Sequence, residues 1–209
     1  MRIVRICVFG DSIAWGAFDE QKGGWADRLK IHFFNQEDAD YAEVYNLSIP
    51  GTETTDLLER VEIECDRCNP DIIVISVGTN DSQFAKLEDK NRIPIEKFRK
   101  NLEELYKKSL KFTENIVFIG LSGVDEAKTR PVYWDADSSY GNEAIGRYDS
   151  VIENFCQEKK LKYISLRAIL EDGDWEDGLH PVAKGHEKIF QKIKPEILDI
   201  FQKAKIKFS

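Results

Sequence analysis

The sequence predicts an α/β fold in which a parallel, five-stranded sheet lies between two layers of helices. Short runs rich in Ile, Val and Phe recur along the chain, and helical patterns separate them. Strict alternation of this kind requires crossover connections, which favour parallel strands joined in the right-handed sense. The runs at 71–77 and 115–121 are almost continuously apolar, as strands buried on both faces must be.

The elements follow in order. The first strand is expected over 3–9, where Ile3, Val4, Ile6, Val8 and Phe9 dominate. It ends abruptly at Gly10-Asp11-Ser12, turn chemistry that leaves Ser12 exposed at the rim of the sheet. A helix near 24–36 leads to a strand at 43–47 and a turn at Pro50-Gly51. Leu58, Val61, Cys65 and Cys68 step at helical spacing and mark a helix near 53–68. The third strand, 71–77, runs into Gly78-Thr79-Asn80-Asp81. Phe98, Leu102, Leu105 and Phe112 carry a helix near 94–113, followed by the strand at 115–121. Ile145, Tyr148, Ile152 and Phe155 carry another near 142–159, before a fifth strand at 161–166. Pro181 can open a final helix near 182–203.

No linker or shift in composition divides the 209 residues, so one domain spanning 1–209 is expected. A net charge of −8, with lysines interspersed among acids, opposes nucleic-acid binding, which needs a concentrated basic surface. No apolar stretch approaches the roughly 20 residues of a membrane span. The first strand begins within two residues, which leaves no room for a cleavable signal, and cytoplasmic residence is the expectation. Cys7, Cys65, Cys68 and Cys156 all fall at apolar positions and read as small core residues. Cys65 and Cys68 form a C-x-x-C, but no second Cys/His pair completes a zinc site. Neither a metal nor a cofactor is expected.

In open parallel sheets ligands bind beyond the carboxyl ends of the strands, where the winding reverses. Ser12, Gly51, Asn80 and His180 follow the first, second, third and fifth strands, and a strand order of 2-1-3-4-5 would bring the first three loops together. A serine hydroxyl needs a positioned base, and the base needs an orienting group. Of three histidines, His32 lies inside a helix beside Phe33 as a packed or surface residue, and His186 is expected on the surface of the last helix. His180 stands in Asp177-Gly178-Leu179-His180-Pro181, where Asp177 can fold back to accept from Nδ1 and leave Nε2 for Ser12. Ester hydrolysis also needs donors for the developing oxyanion. The N–H groups of Ser12 and Gly51 and the Asn80 amide are available, although Gly51 and Asn80 also read as ordinary turn residues.

In combination, Gly10-Asp11-Ser12, Gly51 in its Asn46-containing loop, Gly78-Thr79-Asn80-Asp81 and Asp177-x-x-His180-Pro181 resemble the four blocks of the SGNH hydrolases, also called GDSL esterases and lipases. The resemblance runs from the first strand to the last helix. It implies a flavodoxin-like α/β/α domain with Ser12 as nucleophile, His180 as base, Asp177 as its orienter, and Gly51 and Asn80 in an oxyanion hole. Ile13 replaces the usual leucine, a conservative exchange. The expected activity is hydrolysis of a small or short-acyl ester through an acyl-enzyme. Acyl transfer by the same triad, or a non-catalytic ligand-binding module, are the alternatives.

Two stretches stand outside these blocks. Glu171, Asp172, Asp174, Glu176 and Asp177 crowd the approach to His180, and nearby negative charge would favour its imidazolium. The stretch from Asp172 is not a calcium loop, because Asp177 holds the sixth position and Ala183 the twelfth. Residues 122–141 form a long polar segment after the fourth strand, expected to wall the substrate site. Asp11, Tyr133 and Trp134 are the expected substrate contacts, the alternative for the two aromatics being that they plug the core.

Overall fold

The computed structural model describes residues 3–36 and 41–206. The first half of the chain comprises β1 (Val4–Gly10), α1 (Ser12–Trp15), α2 (Trp25–Phe34), β2 (Ala42–Asn46), α3 (Thr54–Cys68) and β3 (Ile72–Ser76). Then come β4 (Phe84–Ala85), β5 (Lys90–Asn91), α4 (Ile95–Ser109), β6 (Ile116–Ile119) and α5 (Glu126–Thr129). The chain closes with β7 (Ser138–Ser139), α6 (Asn142–Lys159), β8 (Lys162–Ile164) and α7 (Ala183–Ile206).

Five strands form one parallel sheet in the order β2-β1-β3-β6-β8. This is the 2-1-3-4-5 order that brings the first three strands side by side. Side chains alternate across a strand, and that alternation divides the core in two. Ile6, Val8, Ile72, Val74 and Val117 face α2 and α7, meeting Trp25, Leu29, Phe33, Ile193 and Phe201. Cys7, Phe9, Ile73, Ile75 and Phe118 face α3, α4 and α6, meeting Leu57, Val61, Leu102, Ile152 and Phe155. Both faces are covered, so the carboxyl rim is where polar loops gather.

Several boundaries differ from expectation. The helix expected to reach 113 ends at Ser109, after which the Thr113 hydroxyl donates to the Asp71 carbonyl at 2.8 Å and turns the chain into β6. The last helix runs on to Ile206 through Pro195, a residue that lacks the N–H its turn would otherwise use. A second sheet, antiparallel in the order β5-β4-β7, was not expected. Its two-residue strands are too short for any period-two pattern to register. It ties the excursion after β3 to the segment before α6.

Cys7, Cys65 and Cys156 are buried free thiols, and burial pushes those of Cys65 and Cys156 up to about 12. Among the described residues no helix is long and apolar enough to cross a membrane.

Phe118 lies in the middle of the second core with its ring edge-on to Phe155 at 5.6 Å. Phe118→Ala is expected to cost about 3–5 kcal/mol in urea unfolding through the cavity it leaves. A loss below about 1 kcal/mol would contradict close packing of α6 on the sheet.

Candidate active site

The turn after β1 is built by Asp11. Its backbone is extended, and its Oδ1 accepts from the N–H of Ile13 at 2.9 Å, capping the single turn α1 and making Ser12 the first helical residue. Asp11 is only 3% exposed. Burial lifts its pKa to about 6, against the Ile13 N–H and the charge of His180. The expectation that Asp11 contacts substrate is therefore corrected: its carboxylate is turned inward and shapes the turn that presents Ser12.

His180 comes from a tight loop before α7. The N–H of Glu176 donates to the His180 carbonyl at 2.9 Å, and Trp175 pairs with Pro181 in an isolated bridge. Asp177 Oδ1 accepts from the N–H groups of Leu179 and His180, at 2.9 and 2.8 Å. Its Oδ2 meets His180 Nδ1 at 2.7 Å, and Nε2 meets Ser12 Oγ at 2.8 Å. A carboxylate can only accept, so the ring proton is assigned to Nδ1, and Nε2 accepts from the serine hydroxyl. Burial raises the Asp177 pKa, but the His180 ring and the two backbone donors outweigh it and hold the carboxyl below its ordinary value. Gly178 is left-handed at φ +88°, and a Cβ there would lie 2.7 Å from Lys128 Cβ and 2.9 Å from the Asp125 carbonyl. The loop thus rests directly on α5.

Two expectations about this region are overturned. Asp174 does not crowd the imidazole: its side chain is fully buried and paired with Lys188 at 2.7 Å and Lys184 at 3.1 Å. Glu171 also pairs with Lys188, at 3.1 Å. The acidic stretch is tied to α7, and among its carboxylates Asp177 makes the imidazole bond. His186 is not on the helix surface either. It is wholly buried, its Nε2 donates to the Ala17 carbonyl at 3.0 Å, and burial pushes its pKa down to about 4. The turn after α1 folds across this end of α7 and covers it.

Two further loops carry Gly51 and Asn80. Gly51 is exposed at φ +80°, and neither its N–H nor that of Ser12 has a protein partner among the described residues. Asn80 Nδ2 donates to the Thr52 carbonyl at 3.1 Å, while its Oδ1 accepts from the Tyr140 hydroxyl at 3.0 Å. These two bonds fix which way the amide points and leave one N–H of Nδ2 to give. Asp81 accepts from the Thr54 N–H at 3.1 Å and from its hydroxyl, and Asn101 donates to the same hydroxyl oxygen at 2.8 Å. The loop that carries Gly51 is thereby clamped to the loop that carries Asn80. Asp81 stands in the Gly78-Thr79-Asn80-Asp81 block and Tyr140 in the 122–141 segment, but nothing in the sequence pattern marks their roles in holding Asn80 and the Gly51 loop.

Tyr133 and Trp134 are exposed rather than core residues, at 78% and 46%. The Trp134 ring lies 6.0 Å from that of His180. Phe18, also missed, has its ring 5.6 Å from the same imidazole. A cleft of about 520 Å³ opens here between Phe18, Pro131, Tyr133 and Asp177. A second, of about 600 Å³, lies on the other side of Phe18, which also lines it together with Trp15, Asp19 and Tyr45.

The sequence profile of the GDSL-like lipase/acylhydrolase family matches residues 8–188. The chain belongs to this family. A human relative, isoamyl acetate-hydrolyzing esterase 1 homolog, is 26% identical over 207 residues, covering 92% of this chain and 81% of its own. The crystal structure of a lipase/acylhydrolase from Enterococcus faecalis superposes with a TM-score of 0.75 at 26% identity, over 94% of this chain and 96% of that one. An acetylxylan esterase from Geobacillus stearothermophilus shares the fold, with a TM-score of 0.73 at 16% identity over 94% and 96% of the two chains. Family members act as esterases and acylhydrolases, and the α/β fold of this chain is theirs.

The Asp81 clamp gives a pH signature. Burial lifts its pKa to about 7 from the ordinary 3.8, the Thr54 bonds opposing the rise. Between those values the folded chain holds a proton that the unfolded chain has lost, so the contribution to stability is full below about 3.8 and is lost as pH rises through about 7. Urea unfolding of wild type and Asp81→Asn across that range should show the wild type losing ground to the variant as pH rises. A difference independent of pH would contradict the buried, proton-holding carboxyl.

Proposed function

We propose that this protein is a serine esterase that hydrolyses short-acyl carboxylic esters through an acyl-enzyme on Ser12. The observation that carries the reading is the unbroken relay from Asp177 through His180 to Ser12 Oγ, with bonds of 2.7 and 2.8 Å, beside three donors free to receive an oxyanion. Ser12 Oγ attacks the ester carbonyl carbon as its proton passes to His180 Nε2. The carbonyl oxygen takes the negative charge and accepts from the N–H groups of Ser12 and Gly51 and from Asn80 Nδ2. Nε2–H then protonates the ester oxygen, the bond from carbon to that oxygen breaks, and the alcohol departs. Water attacks the acyl carbon, gives a proton to Nε2, and Ser12 Oγ leaves with that proton. The balance is ester and water to acid and alcohol, with no other reactant.

Asp177 stays ionised and supports the imidazolium that forms twice per cycle. The short acyl group is the expectation from the sequence, where residues 122–141 hold no long apolar run. The human relative's printed name, for an acetate ester, agrees with it.

Ser12→Ala is expected to abolish both fluorophosphonate labelling and ester hydrolysis, read by intact mass and by acid release. Labelling that survives the substitution would move the nucleophile elsewhere. Asn80→Ala should lower kcat by roughly 10²–10³ with KM nearly unchanged, because an oxyanion donor acts mainly in the transition state. A change confined to KM would remove Asn80 from that role.

A further inference from the structure

We propose that Phe18, with Tyr133 and Trp134, forms the alcohol subsite of this enzyme, a slot that selects uncharged esters of bulky apolar alcohols. The proposal rests on the esterase reading above and assigns the half of the substrate that the reading leaves open. In that chemistry Nε2–H must reach the leaving oxygen, so the alcohol departs on the side of His180, while the carbonyl oxygen points toward Gly51 and Asn80. Whatever flanks the imidazole therefore flanks the alcohol. Phe18 and Trp134 do so, with ring centroids 5.6 and 6.0 Å from that of His180, and Tyr133 stands edge-on to Trp134 at 4.9 Å.

All three rings are largely open to water, Phe18 at 47%. Two exposed aromatics beside one imidazole, with a third packed on Trp134, form an apolar patch of the kind that marks a binding site. The backbone at Phe18 is left-handed, φ +61°, a strained conformation for a non-glycine residue. The ring belongs to neither core cluster, so core packing does not repay that strain.

The turn beneath Phe18 is pinned on both sides. The carbonyl of Ala17 accepts from the buried His186. Asp19 is buried, accepts from the N–H groups of Gln21, Lys22 and Gly24 at 3.0, 3.1 and 2.9 Å, and is ion-paired with Arg28. Arg28 in turn reaches Glu187 at 2.8 Å and the Ala183 carbonyl at 3.0 Å, both on α7. At Gly16 a Cβ would lie 1.9 Å from the Gly23 carbonyl oxygen, so the turn closes on itself with no room to spare. A rigid support under an exposed ring is what a preorganised wall requires.

The cleft of about 520 Å³ between Phe18 and Tyr133 extends this wall, with Ala127 and Pro131 beside it. Lys128 Nζ donates to the Glu176 backbone carbonyl at 3.2 Å, and both residues line the same cleft, so one residue of each sign borders it and neither sign of occupant is favoured.

The test compares kcat/KM for acetates of methanol, butanol, 3-methylbutanol and benzyl alcohol, then for methyl esters of graded acyl length. The alcohols differ little in acidity, so reactivity varies less than shape. In the wild type kcat/KM should rise along the alcohol series. Phe18→Ala should lower the two bulkiest acetates by about tenfold and leave methyl acetate within about twofold, with Phe18→Leu between them. Melting temperature and the rate of Ser12 labelling by a small fluorophosphonate should stay unchanged. An equal loss on every ester would make Phe18 merely structural, and a loss confined to the acyl series would place the acyl group there; either overturns the proposal. A wild type that is neither labelled at Ser12 nor active on any ester would instead bring down the esterase reading, and the subsite with it.

Discussion

The site depends first on one carboxylate, Asp177, which binds backbone and ring together. One oxygen gathers the N–H groups of Leu179 and His180 and sets the shape of the loop, and the other holds Nδ1 of the imidazole. The tautomer, the ring plane and the loop are therefore one constraint. Ser12 meets the far nitrogen from 168 positions away in sequence, because β1 ends at the same rim of the sheet. Replacing Asp177 by Asn would put an amide N–H where Oδ2 now faces Nδ1, and the imidazole would lose the tautomer that leaves Nε2 able to accept.

Around this relay the fold invests buried polar groups rather than apolar ones. Asp11 and Asp81 carry carboxyls that burial pushes up to about 6 and about 7, each next in sequence to a proposed site residue, Ser12 and Asn80. Both would be less costly as apolar residues in a protein that only had to fold. Tyr140 spends its hydroxyl on Asn80, and His186 spends its ring on the carbonyl before Phe18. These partners touch no proposed reacting atom. Their effect is to hold side chains that do at fixed spacing, the condition under which a hydrogen-bond donor lowers a barrier without reorganising.

The order of strands and helices was legible because each strand carries a dense apolar run and each long helix an apolar stripe. Gly10-Asp11-Ser12, Gly78-Thr79-Asn80-Asp81 and Asp177-x-x-His180 were legible because their chemistry is local. What escaped depends on partners distant in sequence. Phe18 is an aromatic in a short irregular turn, and only the turn's closure over α7 brings it to His180. His186 has the spacing of a surface residue until that same turn covers it. Asp174 looks like one more acid in an acidic loop, yet two lysines of α7 draw it inward. Asp11 belongs to the most recognisable block, yet its carboxylate is buried and taken up in capping Ile13.

The central claim is that an acyl group rests on Ser12 between loss of alcohol and entry of water. The most direct measurement is the partition of products when several acetate esters with different leaving alcohols are hydrolysed in the presence of added methanol. A common acetyl-enzyme has lost its first alcohol before methanol or water arrives. The ratio of methyl acetate to acetate should then be the same for every ester at a given methanol concentration. A ratio that changes with the leaving alcohol, or no methyl acetate from any of them, would contradict the acyl-enzyme on Ser12.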